Sequence, residues 1–297
     1  MAKNTPSGPE RRQNAREKAR QLADEQARRD KLSRIILFSG LGLVVVAVAL
    51  VITFLLVQAN KPALSPQAYV SGGVTLAKAA DSEELQVVAS PEPGDAEVPA
   101  GLPTVADSGA QDTAAHLKVY LDFQCPACKA FEEGNGTAIG NMIADGSLVM
   151  ELEPIAFLDS QSNGNEYSTR SANAFACVAD SGQDATLVPF MQTLFANQPA
   201  EGQNGMEDAQ LIALAEEAGV DPSTPIATVP EEGAAPTVEQ CITEQTFADT
   251  VGKTTTEAMG DEGVSGTPTV LVNGEAVEGD VWGNPQSFAT TLIQASS

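Results

Sequence analysis

Leu117, Val119, Leu121 and Phe123 alternate with Lys118, Tyr120 and Asp122, and the run leads directly into Cys125-Pro126-Ala127-Cys128. Alternation with period two is the mark of a strand with one face against a core. Pro126 suits the first turn of a helix, where its missing N–H costs nothing. The stretch therefore predicts a strand that hands two cysteines, two residues apart, to the start of a helix. Amides and the dipole at a helix N-terminus favour a thiolate there, and the second thiol lies within reach to close a disulfide. Whatever this chain folds into must place a redox dithiol at a strand–helix junction.

The elements that follow suit an α/β core, read as starting at His116. The helix after the cysteines is expected to run to about Asp145, bent or interrupted at Gly134, Asn135 and Gly136. Residues 148–152 read as the next strand, with Pro154 ending its pairing or placing it at an edge. From 166 to 256 the pattern turns helical, with Ala172, Phe175, Ala176 and Ala179, and again Leu211, Leu214, Ala215 and Ala218, on the spacing of a packed face. Loops rich in Gly and Pro at 197–205 and 221–236 divide it. Residues 269–272 form a strand, Asn273-Gly274 predicts a type I′ hairpin turn into 275–277, and a helix over about 285–294 ends the chain.

Charge divides the protein unevenly. Residues 1–34 hold ten of the sixteen basic residues against five acidic ones, which leaves six basic and 35 acidic for the rest and a total net charge of -24. So acidic a body repels phosphate backbones, and no nucleic acid partner is expected. Residues 35–57 carry no charge; at helical rise they span about 34 Å, enough for a bilayer core of about 30 Å. The basic flank predicts a cytoplasmic tail at 1–34, a transmembrane helix at 35–57 and an extracytoplasmic remainder in the cell membrane. Val57-Gln58-Ala59 offers a competing signal-peptidase site, against which the apolar run is longer than a signal peptide's core of roughly 7 to 15 residues. Residues 58–114 read as a stalk, two short strands at 73–76 and 85–88, and a linker rich in Pro, Gly and acidic residues.

Four cysteines allow three pairings. Cys125 and Cys128 can close the small redox ring, leaving Cys177 and Cys241 as a distant pair. Outside the cytoplasm a structural disulfide between those two is the preferred reading, closing about 65 residues and contributing roughly 4 kcal/mol, with a second redox pair as the alternative. A metal site would require Cys177 and Cys241 to join the first pair, and they lack a second short spacing. No metal is expected. His116, the single histidine, reads as a strand-end surface residue.

Asp122-Phe123-Gln124-Cys125-Pro126-Ala127-Cys128 and Gly266-Thr267-Pro268-Thr269-Val270-Leu271-Val272-Asn273-Gly274, in this order with a helical segment between them, resemble the DsbA-like branch of the thioredoxin superfamily. The resemblance covers roughly 115–296. It implies a thioredoxin fold over 115–297 with a helical subdomain inserted at about 160–256, preceded here by one transmembrane helix. It further implies that Cys125 is the exposed nucleophile, Cys128 the resolving thiol, Pro126 and Ala127 the spacers that tune them, and Pro268 a cis-proline facing the disulfide, with Thr267 presenting its backbone to substrate. No cofactor is implied. Two positions depart from the family pattern. Ala127 stands where strong oxidants often carry His, and Val119 stands where many relatives bury a Glu. Asp122 is left as a weak substitute for that carboxylate or as a solvated charge, and Lys129 as a solvated charge.

These readings together predict an extracytoplasmic thiol-disulfide oxidoreductase that introduces disulfides into secreted polypeptides, with a membrane reoxidase as the partner implied by the resemblance. A reductase running the other way and a redox-inactive binding or sensor domain are the alternatives.

Overall fold

A computed structural model describes residues 64–70, 72–90, 98–99, 101–229 and 233–297; the tail at 1–34 and the apolar span at 35–57 lie outside them. Among the described residues no helix is long and apolar enough to cross a membrane.

The strand read from the alternation is β4 (Ala115–Leu121), and Ala115, Leu117, Val119 and Leu121 are buried along one of its faces. Before it come β1 (Tyr69–Val70), β2 (Gly73–Lys78) and β3 (Leu85–Val88); after it come β5 (Leu148–Pro154), β6 (Thr269–Val272) and β7 (Glu275–Ala276). The sheet order is β1-β2-β5-β4-β6-β7, with β3 also paired to β2. β4 and β5 are parallel, and β6 flanks β4 antiparallel. A parallel pair needs a crossover, which α1 (Pro126–Ala144) supplies.

The sheet corrects two expectations. Pro154 closes β5 opposite Leu121, but β5 is no edge strand, because β2 pairs along its other side. The core also begins well before His116. Val74, Leu76 and Ala77 of β2 are fully buried, and β2 satisfies the backbone groups that β5 would otherwise leave unpaired. Asp180 binds the preceding segment to the helical insert by accepting from the backbone N–H groups of Gln67 at 2.6 Å and Thr228 at 2.7 Å.

α1 runs through Gly134, Asn135 and Gly136 without interruption. The Asn135 side chain donates at 3.0 Å to the Phe131 and Trp282 carbonyls, so it joins the helix to α7 (Gly279–Trp282) instead of breaking it. At Gly136 a Cβ would collide with the Glu132 carboxylate, so the missing side chain is what gives that acid its room. α8 (Pro285–Ala295) places Phe288 and Leu292 in the same core, and Phe131 meets Phe288 edge-on at 5.6 Å. Asn273 and Gly274 both have positive φ, as the hairpin turn requires.

The insert consists of α2 (Tyr167–Ala179), α3 (Leu187–Ala196), α4 (Asp208–Glu217), α5 (Val238–Thr243) and α6 (Ala248–Gly260). α2 is its central helix, with only Thr169 and Arg170 less than fully buried. Cys177 of α2 and Cys241 of α5 form a disulfide. On the sheet's second face Ala258 of α6 packs with Tyr120 and Ile155. His116 lies on β4, not at the surface: its side chain is 16% exposed and its Nε2 is 3.3 Å from Glu151. That face needs polar partners because Lys118, Glu151 and Glu153 share it.

Candidate active site

Cys125 is the N-cap of α1 with extended backbone angles, φ -77° and ψ 119°, and Pro126 opens the helix. The strand therefore delivers the Cys125 sulfur to the helix N-terminus, and Cys128 follows within the first turn. Both are free thiols. Cys125 retains 7% of its surface accessible and Cys128 2%, so the expected exposed nucleophile is in fact mostly covered. Its cover includes the Thr267 backbone: Cys125 Sγ donates to the Thr267 carbonyl at 3.1 Å. The Thr267–Pro268 bond is cis. Register explains the meeting, since β6 pairs beside β4 with Thr269 opposite Tyr120, which sets the residues just before β6 next to those just after β4. Pro126 and Ala127, the spacers, are exposed beside the thiols.

The Cys128 thiol, donating to the Cys125 sulfur, is the main cause of a lowered Cys125 pKa. The Thr267 side chain and the N–H groups of Cys128 and Ala127 add to it. Together they outweigh burial and bring the thiol from 9.0 to about 6. A substantial thiolate fraction at neutral pH follows. Burial pushes Cys128 the other way, well above its ordinary value, and the bond to Cys125 adds to that. One thiol is thus prepared to attack and the other to hold its proton.

Asp122 is fully buried, which rules out the solvated reading. Its carboxylate accepts from the Gln124 N–H, the Leu158 N–H and the Ser168 hydroxyl, each at 2.8 Å. Burial pushes it up to about 6 against those three bonds, and the nearby Cys125 adds to the rise. Lys129 is partly exposed and 3.9 Å from Glu133. Gln198 also belongs to the site: its Nε2 donates at 2.9 Å to the Phe123 and Cys125 carbonyls. It lies in a segment whose composition marks only a loop, so nothing in the sequence pointed to it. Phe123 itself packs between Phe175 and Phe195, with ring centroids 5.6 and 5.3 Å away.

Residues 103–289 match the family model described as Thioredoxin. The chain belongs to this thioredoxin family. Within it the protein is DsbA-like. It superposes on disulfide bond oxidoreductase DsbG from Mycobacterium tuberculosis with a TM-score of 0.50 and 31% identity, over 63% of this chain and 82% of that one. For oxidised DsbA from the same organism the TM-score is 0.52 and the identity 28%, over 76% and 93%. Serine/threonine-protein kinase PknE of M. tuberculosis is 31% identical over 110 residues, 36% of this chain but only 19% of the kinase's length. This thioredoxin-family protein therefore carries the fold of the thiol-disulfide oxidoreductases together with an intact dithiol.

Proposed function

We propose that this protein is a membrane-anchored, extracytoplasmic oxidoreductase that introduces disulfides into secreted polypeptides. The observation that carries the reading is the Cys125 thiol, set at the N-terminus of α1 and held at about 6. A stabilised thiolate favours the reduced dithiol, so the Cys125–Cys128 disulfide becomes the oxidant. A substrate thiolate attacks Cys125 Sγ, the Cys125–Cys128 bond breaks, and Cys128 leaves and takes up a proton. The substrate's second thiolate then displaces Cys125, leaving an oxidised substrate and a reduced enzyme for a membrane reoxidase to restore. The exposed Pro126 and Ala127, with the Thr267 backbone, form the surface on which a substrate strand would lie. The Cys177–Cys241 disulfide and the charge-free span at 35–57 behind its basic flank support the outside location.

Ala127 favours a second reading, a reductase, because the motif brings no cation to stabilise the thiolate. The reduction potential separates the two: a value near about -120 mV supports the oxidase, and one near about -270 mV the reductase. Cells carrying the Cys128→Ser variant should accumulate mixed disulfides on Cys125. Their absence, with the variant expressed and folded, defeats both directions and leaves the binding or sensor domain.

A further inference from the structure

The sheet ends at β7, and among the described residues no strand pairs with its outer side. Asn273-Gly274 is a two-residue turn, so Val272 and Glu275 flank it as a hydrogen-bonded pair, and Leu271 and Ala276 follow as a pair without such bonds. The Ala276 N–H and C=O therefore point away from β6, to the open side. The Val277 N–H turns back to the Val270 carbonyl at 2.8 Å, as this alternation requires. A groove of about 630 Å³ lies along the edge, between β7 and the last turns of α8. Val277, Val281 and Ala295 are half-buried in its lining, and Glu275, Ala276 and Glu278 stand exposed in it.

Neither glutamate has a cation among the described residues. His116 lies against Glu151, Lys118 pairs with Glu153, Lys129 with Glu133, Arg170 with Asp208 and Lys253 with Glu257. Lys78 is on β2, at the far side of the sheet. The edge is thus a strand without a neighbour, beside an apolar groove and unpaired negative charge. An extended chain completes such an edge, and its alternate side chains enter the groove. A second copy of this chain fits poorly. Edge-to-edge pairing would gather Glu275 and Glu278 of both copies, on bodies that hold 35 acidic residues against six basic ones.

We propose that β7 and α8 dock an extended polypeptide segment that adds a strand to β7 and carries a Lys or Arg two residues from an apolar side chain. Glu275 and Val277 are two apart and so share a face of β7. It is the face that α8 covers, because Glu275 stands opposite Val272, which packs with Phe288 and Leu292 in the core. A docked strand sets its basic residue beside Glu275 and its apolar residue over Val277 and Val281, while its backbone takes the Ala276 N–H and C=O. Thr267–Pro268 lies at the other end of β6 (Thr269–Val272), so at about 3.3 Å per residue the groove begins roughly 13 Å from the loop that faces the dithiol. On the exchange reading above, the groove gives a polypeptide substrate a second hold while its thiols react; the docking itself stands apart from that reading.

The test is fluorescence anisotropy of labelled, cysteine-free peptides with the full-length chain in detergent. A peptide repeating Lys-Thr-Val-Thr should bind, and its counterpart with Glu for Lys should bind about tenfold more weakly. In the double variant Glu275→Lys, Glu278→Lys that preference should reverse. N-methylation of the peptide backbone, which leaves the protein unaltered, should abolish binding because the added strand loses its donors. Hydrogen exchange at the Ala276 amide should slow when the first peptide is bound. Equal binding of the two peptides, a preference unchanged in the double variant, an Ala276 amide that exchanges at the same rate, or no binding at all overturns the proposal. A dimer in sedimentation whose Ala276 amide is already protected without peptide gives the edge to a second copy and overturns it as well. Glutathione reaction at Cys125, read on the same samples, tests the exchange reading separately: its absence removes that reading and leaves the binding result to decide the docking.

Discussion

Gln198 Nε2 donates to the Cys125 carbonyl at 2.9 Å and, with its second hydrogen, to the Phe123 carbonyl at the same distance. One amide from the segment after α3 thus holds both sides of the turn that presents the nucleophile. The Cys125 carbonyl also accepts from the Lys129 N–H at 3.2 Å, so it keeps a partner without Gln198. Gln198→Ala should therefore cost about 1–3 kcal/mol, mainly for the Phe123 carbonyl left without a donor. Urea unfolding with an unchanged midpoint would show that the amide holds nothing.

Alkylation of Cys125 by iodoacetamide should rise with pH around a midpoint of about 6. The Cys128 thiol is the leading cause of that low value, so Cys128→Ala should move the midpoint up, towards the ordinary thiol range. Peptide mapping of the alkylated protein reads the two curves. Overlapping curves would assign the effect to Thr267 and the helix N-terminus instead.

Asp122 adds a pH dependence to stability. Its folded-state value, about 6, lies above its ordinary 3.8. The stability linked to it is thus complete below about pH 4 and lost as pH rises through about 6. Asp122→Asn should remove this slope. It should also lower overall stability by about 1–3 kcal/mol, because an amide NH₂ would meet one of the three donors. Thermal midpoints of both proteins between pH 4 and 7 measure it. Parallel curves would mean that the carboxyl does not titrate in this range.

The Cys177–Cys241 disulfide spans a sequence separation of 64 between two fully buried sulfurs. Replacing both cysteines by Ala should destabilise the protein by about 4 kcal/mol in denaturant unfolding. The rate of glutathione reaction at Cys125 should hold wherever the protein remains folded. Loss of exchange in a folded double variant would restore the reading of a second redox pair.

Local patterns carried the active-site half of the fold. The alternation through Phe123, the cysteine spacing, Pro126 and Asn273-Gly274 each act through neighbours in the chain, so period and turn chemistry suffice to read the strand, the helix start and the hairpin. β2 could be seen as a strand but not as part of the core, because strand pairing across distant sequence leaves no local mark. The same limit applies to the dithiol's surroundings. Residue spacing named Cys125 and Cys128, whereas the meeting of Cys125 with Thr267 follows from the β4–β6 register. Asp122, open to two readings in the sequence, is a buried acceptor because Leu158 and Ser168 converge on it from elsewhere in the chain. Gln198 became a site residue only through packing. A side chain's burial and partners depend on what the folded chain brings against it, and for these residues that means segments far away in sequence.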